Sequence, residues 1–193
     1  MILGITGSIG SGKSTAARIF EKYGFKVINA DELYHKISKP NKLIYKKIVK
    51  EFGSGVIDND KTINREKLKK IVLQDDKKLK KLNSITHPII ISEIKKSIKK
   101  NKNRNIIVDA PLLLESDARN LVDNIIVVKC DDKARIQRLL KKGKHSKEQI
   151  KKITKSQMPI EKKLKFADFV IDNSGDLKNL ENQVRVIVNE LNQ

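Results

Sequence analysis

The start of the chain constrains its fold more than any other segment. Residues 7–14 read Gly-Ser-Ile-Gly-Ser-Gly-Lys-Ser, a full match to the phosphate-binding pattern G-x-x-x-x-G-K-[ST]. The apolar run at residues 2–5 predicts a short buried strand before this loop, and a helical pattern of apolar residues follows it: Ala16, Ala17, Ile19 and Phe20. A strand, a glycine-rich loop and a helix in this order direct backbone N–H groups at phosphates. The chain is therefore predicted to handle a nucleoside triphosphate.

Two side chains at the end of the loop complete the predicted phosphate site. Lys13 can reach the β- and γ-phosphate oxygens, and the hydroxyl of Ser14 can bind Mg2+. A tight turn without a ligand is the alternative explanation for the same residues. The flanking strand and helix favour the nucleotide site over the empty turn.

Length and composition indicate one domain with an insertion, because 193 residues suffice for one substantial core. Cys130 is the only cysteine, which excludes an internal disulfide and a cysteine-based metal site. The longest apolar runs are too short to cross a membrane, and no secretory signal is visible. We expect a cytoplasmic protein without a membrane partner, either a monomer or a weakly associating chain.

The net charge of +19 would suit a polyanion partner. The chain has 35 Lys against 7 Arg, together with 27 Ile and 15 Asn, and Lys, Ile and Asn all have A/T-rich codons. Arginine and aromatic residues, which nucleic-acid modules use for base readout and stacking, are scarce. Compositional bias therefore explains the charge better than a specific nucleic-acid partner does.

Apolar segments alternate with helical patterns along the rest of the chain. Strands are predicted at residues 27–31, 106–109, 125–128 and 169–171, and helices at 134–140, 147–157 and 177–191. Ser146 and Gln149 form a capping-box pattern before the second of these helices. The alternation predicts an α/β fold, a P-loop NTPase sandwich of three layers around a five-stranded parallel sheet.

The region at about residues 32–105 differs from the core formed by about 1–31 and 106–193. It is rich in lysine, its apolar residues have helical spacing, and His87-Pro88 provides one of its turn signals. Because the proline ring disfavours the helical conformation of the residue before it, we expect His87 in an extended or turn conformation. The region is predicted to be a helical insertion.

Two aspartates are the last residues of predicted strands, at the edge where open parallel sheets bind ligands. Asp31 can orient an acceptor hydroxyl and accept its proton, or it can cap the next helix. Asp109 can hold Mg2+ beside the phosphate loop, or it can be an ordinary carboxylate at a strand end. Position alone leaves both pairs of alternatives open, although the nearby phosphate loop favours the functional role of Asp31.

Arg135, Arg138 and Lys142 are spaced three and four residues apart and share one helix face. A solvated basic face is one explanation. The other is a lid at about residues 133–157 whose cations close over the γ-phosphate and neutralise charge in the transition state.

The chain resembles the dephospho-CoA kinase family over nearly its whole length. The resemblance is carried by the segments at residues 4–15 and 27–31, by Asn64-Arg65, His87-Pro88 and Gln157, and by the segments at 111–115, 167–168 and 170–173. It implies ATP-dependent phosphorylation of the ribose 3′-hydroxyl of dephospho-CoA, the last step of coenzyme A synthesis.

The resemblance also implies roles for individual residues. ATP would be bound by Gly10, Ser11, Gly12, Lys13, Ser14, Thr15 and Asn173. Asp31 would be the base on the acceptor side, Arg138 would belong to the lid, and the 32–105 insertion would bind CoA. Arg65, His87 and Glu115 would contact the substrate.

The chain departs from the family pattern at two places. Asn29 stands where the family often has the first aspartate of Asp-Ala-Asp, and Lys142-Gly143 stands where the lid usually carries an Arg-Asp pair. Lysine keeps the positive charge but lacks the bidentate fork of arginine.

Other functions remain open at the level of sequence. Another small-molecule P-loop kinase, such as a nucleoside monophosphate kinase, would have a similar loop and lid. A GTPase is disfavoured because no Asn-Lys-x-Asp motif occurs; the segment at residues 41–44 lacks the acid. A nucleic-acid-binding ATPase predicts steeply salt-dependent binding to DNA or RNA.

Overall fold

Five parallel strands form the sheet of this computed structural model, which describes residues 1–40, 42–141, 143 and 146–193. The strand order is β2-β3-β1-β4-β5. The strands are β1 (Ile2–Thr6), β2 (Lys26–Asn29), β3 (Ile106–Asp109), β4 (Asn124–Lys129) and β5 (Phe169–Asp172). The predicted five-stranded parallel sheet is confirmed.

Both faces of the sheet are covered, which explains why its strands are continuous apolar runs rather than alternating ones. On one face, α1 (Lys13–Lys22) and α9 (Leu177–Leu191) pack on a core that includes Leu3, Ile5, Ile107, Ile126, Val128 and Ile171. On the other face, a Cβ added at Gly4 would lie 2.5 Å from Leu113 Cδ2. A glycine is needed there because the segment after β3 approaches the sheet so closely.

The described chain divides into two compact units. The first comprises Met1–Asn29 and Ser97–Gln193 and contains the whole sheet. Besides α1 and α9, its helices are α6 (Asp132–Lys141), α7 (Lys147–Ser156), α8 (Ile160–Leu164) and a 3-10 turn at Asp117–Leu121. The predicted capping box is confirmed: Gln149 N–H donates to Ser146 Oγ at 3.2 Å, and Ser146 N–H donates to Gln149 Oε1 at 3.1 Å.

The second unit, Ala30–Lys96, is helical. It contains α2 (Ala30–Ile37), α3 (Leu43–Phe52), a 3-10 turn (Ser54–Val56), α4 (Arg65–Val72) and most of α5 (Asp76–Lys100). Its own core consists of Ile44, Ile48, Val56, Ile63, Leu68 and Val72. No helix in the described ranges combines the length and the apolar character needed to span a membrane.

The boundary after β2 differs from the prediction. The strand ends at Asn29, and Asp31 lies in the first turn of α2 rather than at the end of a strand. A carboxylate in this position interacts favourably with the positive end of the helix dipole. The side chain of Asp31 is exposed, so its helical position leaves the carboxylate accessible.

The prediction of a turn at His87-Pro88 is wrong, because both residues lie inside α5. The proline removes one backbone donor, but apolar residues on both sides of it pack on the core of the second unit: Leu79, Leu82, Ile85 and Ile89. This helical packing outweighs the local preference of a residue before proline. His87 is half-buried on a helix rather than extended.

Candidate active site

A pocket of about 360 Å³ lies at the phosphate loop, between the amino end of α1, α6 and the residues that follow β5. Five of the six predicted loop ligands line it: Gly10, Gly12, Lys13, Ser14 and Thr15. The amino end of α1 supplies unsatisfied N–H groups and the positive end of a helix dipole. The pocket is therefore suited to the phosphates of a nucleotide.

Glycines are required in the loop because neighbouring side chains come close to its backbone. Gly12 has a φ of +93°, and a Cβ there would collide with the amide nitrogen of Asn173. This amide instead donates to the carbonyl oxygen of Ser11 at 2.8 Å. Ser11, the sixth predicted loop ligand, thus ties the loop to the end of β5, while Asn173 itself lines the pocket.

Lys13 is 8% exposed and lines the pocket, and its Nζ lies 3.5 Å from the carbonyl oxygen of Ser8. A buried ammonium held against the loop backbone can interact strongly with an anion that excludes water from the pocket. This position fits the predicted contact of Lys13 with the β- and γ-phosphates.

Asp109, Ser14 and Asn29 form a hydrogen-bonded group beside the pocket. Ser14 Oγ donates to Asp109 Oδ2 at 2.8 Å, and Asn29 Nδ2 donates to the same oxygen at 2.9 Å. Asp109 is 2% exposed, and the sheet register places it directly beside Asn29. The structure therefore brings the two predicted Mg2+ ligands, Ser14 and Asp109, together.

The oxygen donors of Ser14 and Asp109 suit Mg2+. This ion is commonly bound by one or two protein groups together with substrate phosphates and waters, rather than by a complete protein cage. No group of three or more His, Cys, Asp or Glu side chains that could hold a metal occurs among the described residues. The residues present fit an ion that arrives with a nucleotide.

Arg138 lies on α6 and lines the pocket. Its Nη1 donates to the carbonyl oxygen of Asn173 at 2.8 Å, and its Nη2 donates to that of Gly175 at 3.4 Å. Nη1 also approaches Cys130 Sγ at 3.4 Å. Burial raises the pKa of the Cys130 thiol, and the positive charge of Arg138 opposes this change. In this arrangement the guanidinium fixes the segment that follows β5.

Glu115, a predicted substrate ligand, forms an ion pair with Lys163. Lys163 is fully buried, and its Nζ lies 3.0 Å and 3.1 Å from the two carboxylate oxygens of Glu115. The ammonium also donates to the carbonyl oxygen of Pro111 at 2.9 Å and to Thr6 Oγ1 at 3.2 Å. Burial lowers the pKa of Lys163, while the hydrogen bond and charge of Glu115 raise it. Each donor of the buried ammonium thus has an acceptor.

In the second unit, Arg65 and Asp31 interact electrostatically. The Arg65 guanidinium stacks 5.3 Å above the ring centre of Tyr34 and contacts Nε2 of His35. Burial lowers the pKa of Arg65, whereas Tyr34 and Asp31 raise it. Burial and the charge of Arg65 together lower the pKa of His35, with Asp31 among the groups that oppose this change. His87 lies on α5 of the same unit.

Lys142 and His145 lie outside the described residues. Lys142 belongs both to the departure at Lys142-Gly143 and to the predicted basic face with Arg135 and Arg138, and neither prediction for it can be placed in the structure.

Sequence reasoning missed the importance of Lys163 and His35. Lys163 lies in a lysine-rich helix and its partners are 48 to 157 residues away, so no local pattern distinguishes it from surface lysines. His35 is four residues from Asp31 on one helix, a spacing that places both on the same face. That spacing was the one available signal for His35.

Comparisons with known proteins give a consistent result. The family model described as dephospho-CoA kinase matches residues 1–179. The dephospho-CoA kinase of Aquifex aeolicus is 41% identical over 191 residues, which cover 98% of this chain and 96% of that protein. The dephospho-CoA kinase of Carboxydothermus hydrogenoformans is 40% identical over 190 residues, which cover 97% and 92%.

The similarity extends to a solved structure. The dephospho-CoA kinase from Campylobacter jejuni superposes with a TM-score of 0.69 and 32% sequence identity, covering 98% of this chain and 96% of that one. The sequence and structure matches thus span both units of the chain.

Proposed function

The chain belongs to the dephospho-CoA kinase family, and from this membership we propose how its residues divide the transfer of a phosphoryl group from ATP to the ribose 3′-hydroxyl of dephospho-CoA. The family match over residues 1–179 carries the choice of substrate.

The first unit would hold the phosphoryl donor. The backbone of residues 10–15 would bind the phosphates of ATP, and Lys13 would contact the phosphoryl group that is transferred. Ser14 and Asp109 would hold Mg2+, which would neutralise part of the negative charge of the phosphates. The 2.8 Å contact between Ser14 Oγ and Asp109 Oδ2 supports this pairing.

The second unit would supply the groups for the phosphoryl acceptor. Asp31 would orient the 3′-hydroxyl and accept its proton as the oxygen attacks the γ-phosphorus. Arg65 would bind an anionic part of the substrate, and its stacking on Tyr34 supports this role by fixing the direction of the guanidinium. His87 stays a predicted substrate contact.

Glu115 and Arg138 have different partners and would have different roles. The ion pair with Lys163 gives Glu115 a structural task, so we propose that it shapes the site instead of contacting substrate. Arg138 would contribute positive charge to the phosphates after exchanging its carbonyl partners at residues 173 and 175 for phosphate oxygens. Arg138→Met should then lower kcat more than it changes the KM for dephospho-CoA.

A coupled assay of ATP consumption, with mass measurement of the product, tests the substrate. CoA should form from dephospho-CoA in the presence of Mg2+, and AMP and CMP should be poor acceptors. Faster turnover with either nucleotide would contradict the proposal.

Asp31→Asn tests the base. Turnover should fall by about 10²–10⁴-fold, while ATP binding measured by calorimetry stays within about twofold of the wild type. Glu32→Gln, which removes the next carboxylate in the same helical turn, is the matched control and should stay near wild-type turnover. Equal losses in both variants would indicate a general charge effect rather than proton transfer by Asp31.

A further inference from the structure

Ile9, in the middle of the phosphate loop, has both of its backbone polar groups bound by distant side chains. Its N–H donates to Gln157 Oε1 at 3.0 Å, and its carbonyl oxygen accepts from Arg135 Nη1 at 3.2 Å. Gln157 directly follows α7, and Arg135 lies on α6. The two helices predicted to form a lid are therefore bonded to the loop backbone itself.

Besides Ile9, the guanidinium of Arg135 has two further polar partners, one on α6 and one on α7, which hold it in place. It is 5% exposed, its Nε and Nη2 lie 2.9 Å and 2.8 Å from Asp132 Oδ1, and its Nη1 also donates to Thr154 Oγ1 at 3.2 Å. A planar guanidinium with these partners has one direction available to it. Its direction is therefore set by α6 and α7, independently of any ligand.

The side chain of Gln157 is anchored through its neighbour. Met158 N–H donates to Glu115 Oε1 at 2.8 Å, and Glu115 is held by the buried ammonium of Lys163. This backbone bond fixes the chain immediately after Gln157. The side-chain oxygen of Gln157 is therefore held in a defined position beside Ile9 N–H.

The next loop residue, Gly10, lies so close to α6 that a side chain would not fit there. Gly10 has a φ of +81°, and a Cβ there would lie 2.7 Å from Leu139 Cγ and 3.2 Å from Arg135 Cγ. Helix α6 thus packs directly against the loop at residues 9–10. Movement of this helix away from the core would pull on the segment that precedes the phosphate-binding N–H groups.

We propose that Gln157 and Arg135 are positioning residues for ATP: by holding both polar groups of Ile9, they fix the curve of the loop that presents residues 10–15 to the phosphates. The inference rests on the proposed use of this loop for ATP. It gives Arg135 a task different from the lid cation that its helical spacing predicts, because its guanidinium is bonded to the loop backbone.

Gln157→Met tests the proposal, because methionine keeps the length of the side chain and removes the acceptor for Ile9 N–H. Inorganic tripolyphosphate and adenosine serve as separate calorimetric probes of the phosphate and base parts of the pocket. The dissociation constant for tripolyphosphate should rise about tenfold, the effect expected when a partly buried N–H loses its acceptor. Adenosine binding should stay unchanged, and KM should rise for ATP but not for dephospho-CoA.

Ser146→Ala is the matched control, since it breaks the cap of α7 without touching Ile9. Amide hydrogen exchange adds a readout without ligand: Ile9 N–H should be protected in the wild type and in this control, and should exchange faster in Gln157→Met. Wild-type affinity for tripolyphosphate in Gln157→Met, or equal weakening in Ser146→Ala, would overturn the positioning role. If the wild type itself fails to bind ATP and tripolyphosphate, the proposed function fails first.

Discussion

Replacing Lys163 with methionine removes the positive charge of a fully buried side chain from its ion pair with Glu115, while roughly keeping the volume of the side chain. The carboxylate of Glu115, which is 19% exposed, then loses its ammonium partner, and the carbonyl oxygen of Pro111 loses a donor. Breaking a buried pair from one side costs about 3–5 kcal/mol. Because Glu115 keeps some contact with water and its bond from Met158 N–H, we expect the lower end, about 3 kcal/mol.

The double variant Lys163→Met/Glu115→Gln isolates the charge. The glutamine oxygen can still accept from Met158 N–H, but no carboxylate is left without a counterion. We expect this variant to recover about 2 kcal/mol of the loss, since replacing both partners of a buried ion pair with neutral groups is often close to neutral in stability. Urea unfolding, followed by circular dichroism, measures both differences.

A double variant that is no more stable than Lys163→Met alone would refute this reasoning. The double variant also separates the two roles considered for Glu115. An unchanged KM for dephospho-CoA is expected if Glu115 shapes the site, whereas a direct substrate contact predicts a large increase.

Three further predictions follow from individual contacts. Asn29→Asp places a second carboxylate within hydrogen-bond distance of Asp109; two like charges in contact favour a cation between them, so the gain in ATP affinity on adding Mg2+, measured by calorimetry, should increase, while Asn29→Ala should show no such increase. The hydrogen bond from Lys129 lowers the pKa of Asp172 to about 2; this stabilisation is present above pH 4 and is lost as the pH falls through about 2, so Asp172→Asn should cost less than about 1 kcal/mol at pH 7 and clearly less than that at pH 2 in urea unfolding. Pro88→Ala should raise the unfolding free energy by about 1–3 kcal/mol, because it restores a backbone donor inside α5; an unchanged urea midpoint would contradict this.

The parts of the molecule that could be predicted from sequence are those encoded by neighbouring residues. The capping box at Ser146 and the limits of α9, Leu177–Leu191, are local patterns, and the structure reproduces both. The local preference of His87 before proline gave the wrong result because packing on the core of the second unit decides the conformation there.

Contacts between distant segments could be predicted only where a known motif places both partners. Ser14 and Asp109 could be paired in advance because the phosphate motif and a strand end each have a known place at the edge of a parallel sheet. The bonds from Gln157 and Arg135 to Ile9 span 148 and 126 residues, and they depend on how α6 and α7 pack. Their partners are backbone groups, which have no signature in the sequence.

The location of the second unit in the chain has a consequence for how enzymes of this kind can change. β2 and β3 are adjacent and parallel, with Asn29 level with Asp109. Parallel neighbours cannot be joined by a tight turn and need a crossover of a dozen or more residues. The second unit, Ala30–Lys96, occupies this obligatory crossover, so its length and composition can be altered, or the unit exchanged for another, without cutting a strand. If this unit binds the acceptor, as proposed, a change of acceptor needs only a new crossover, and the pocket at the phosphate loop can be inherited intact.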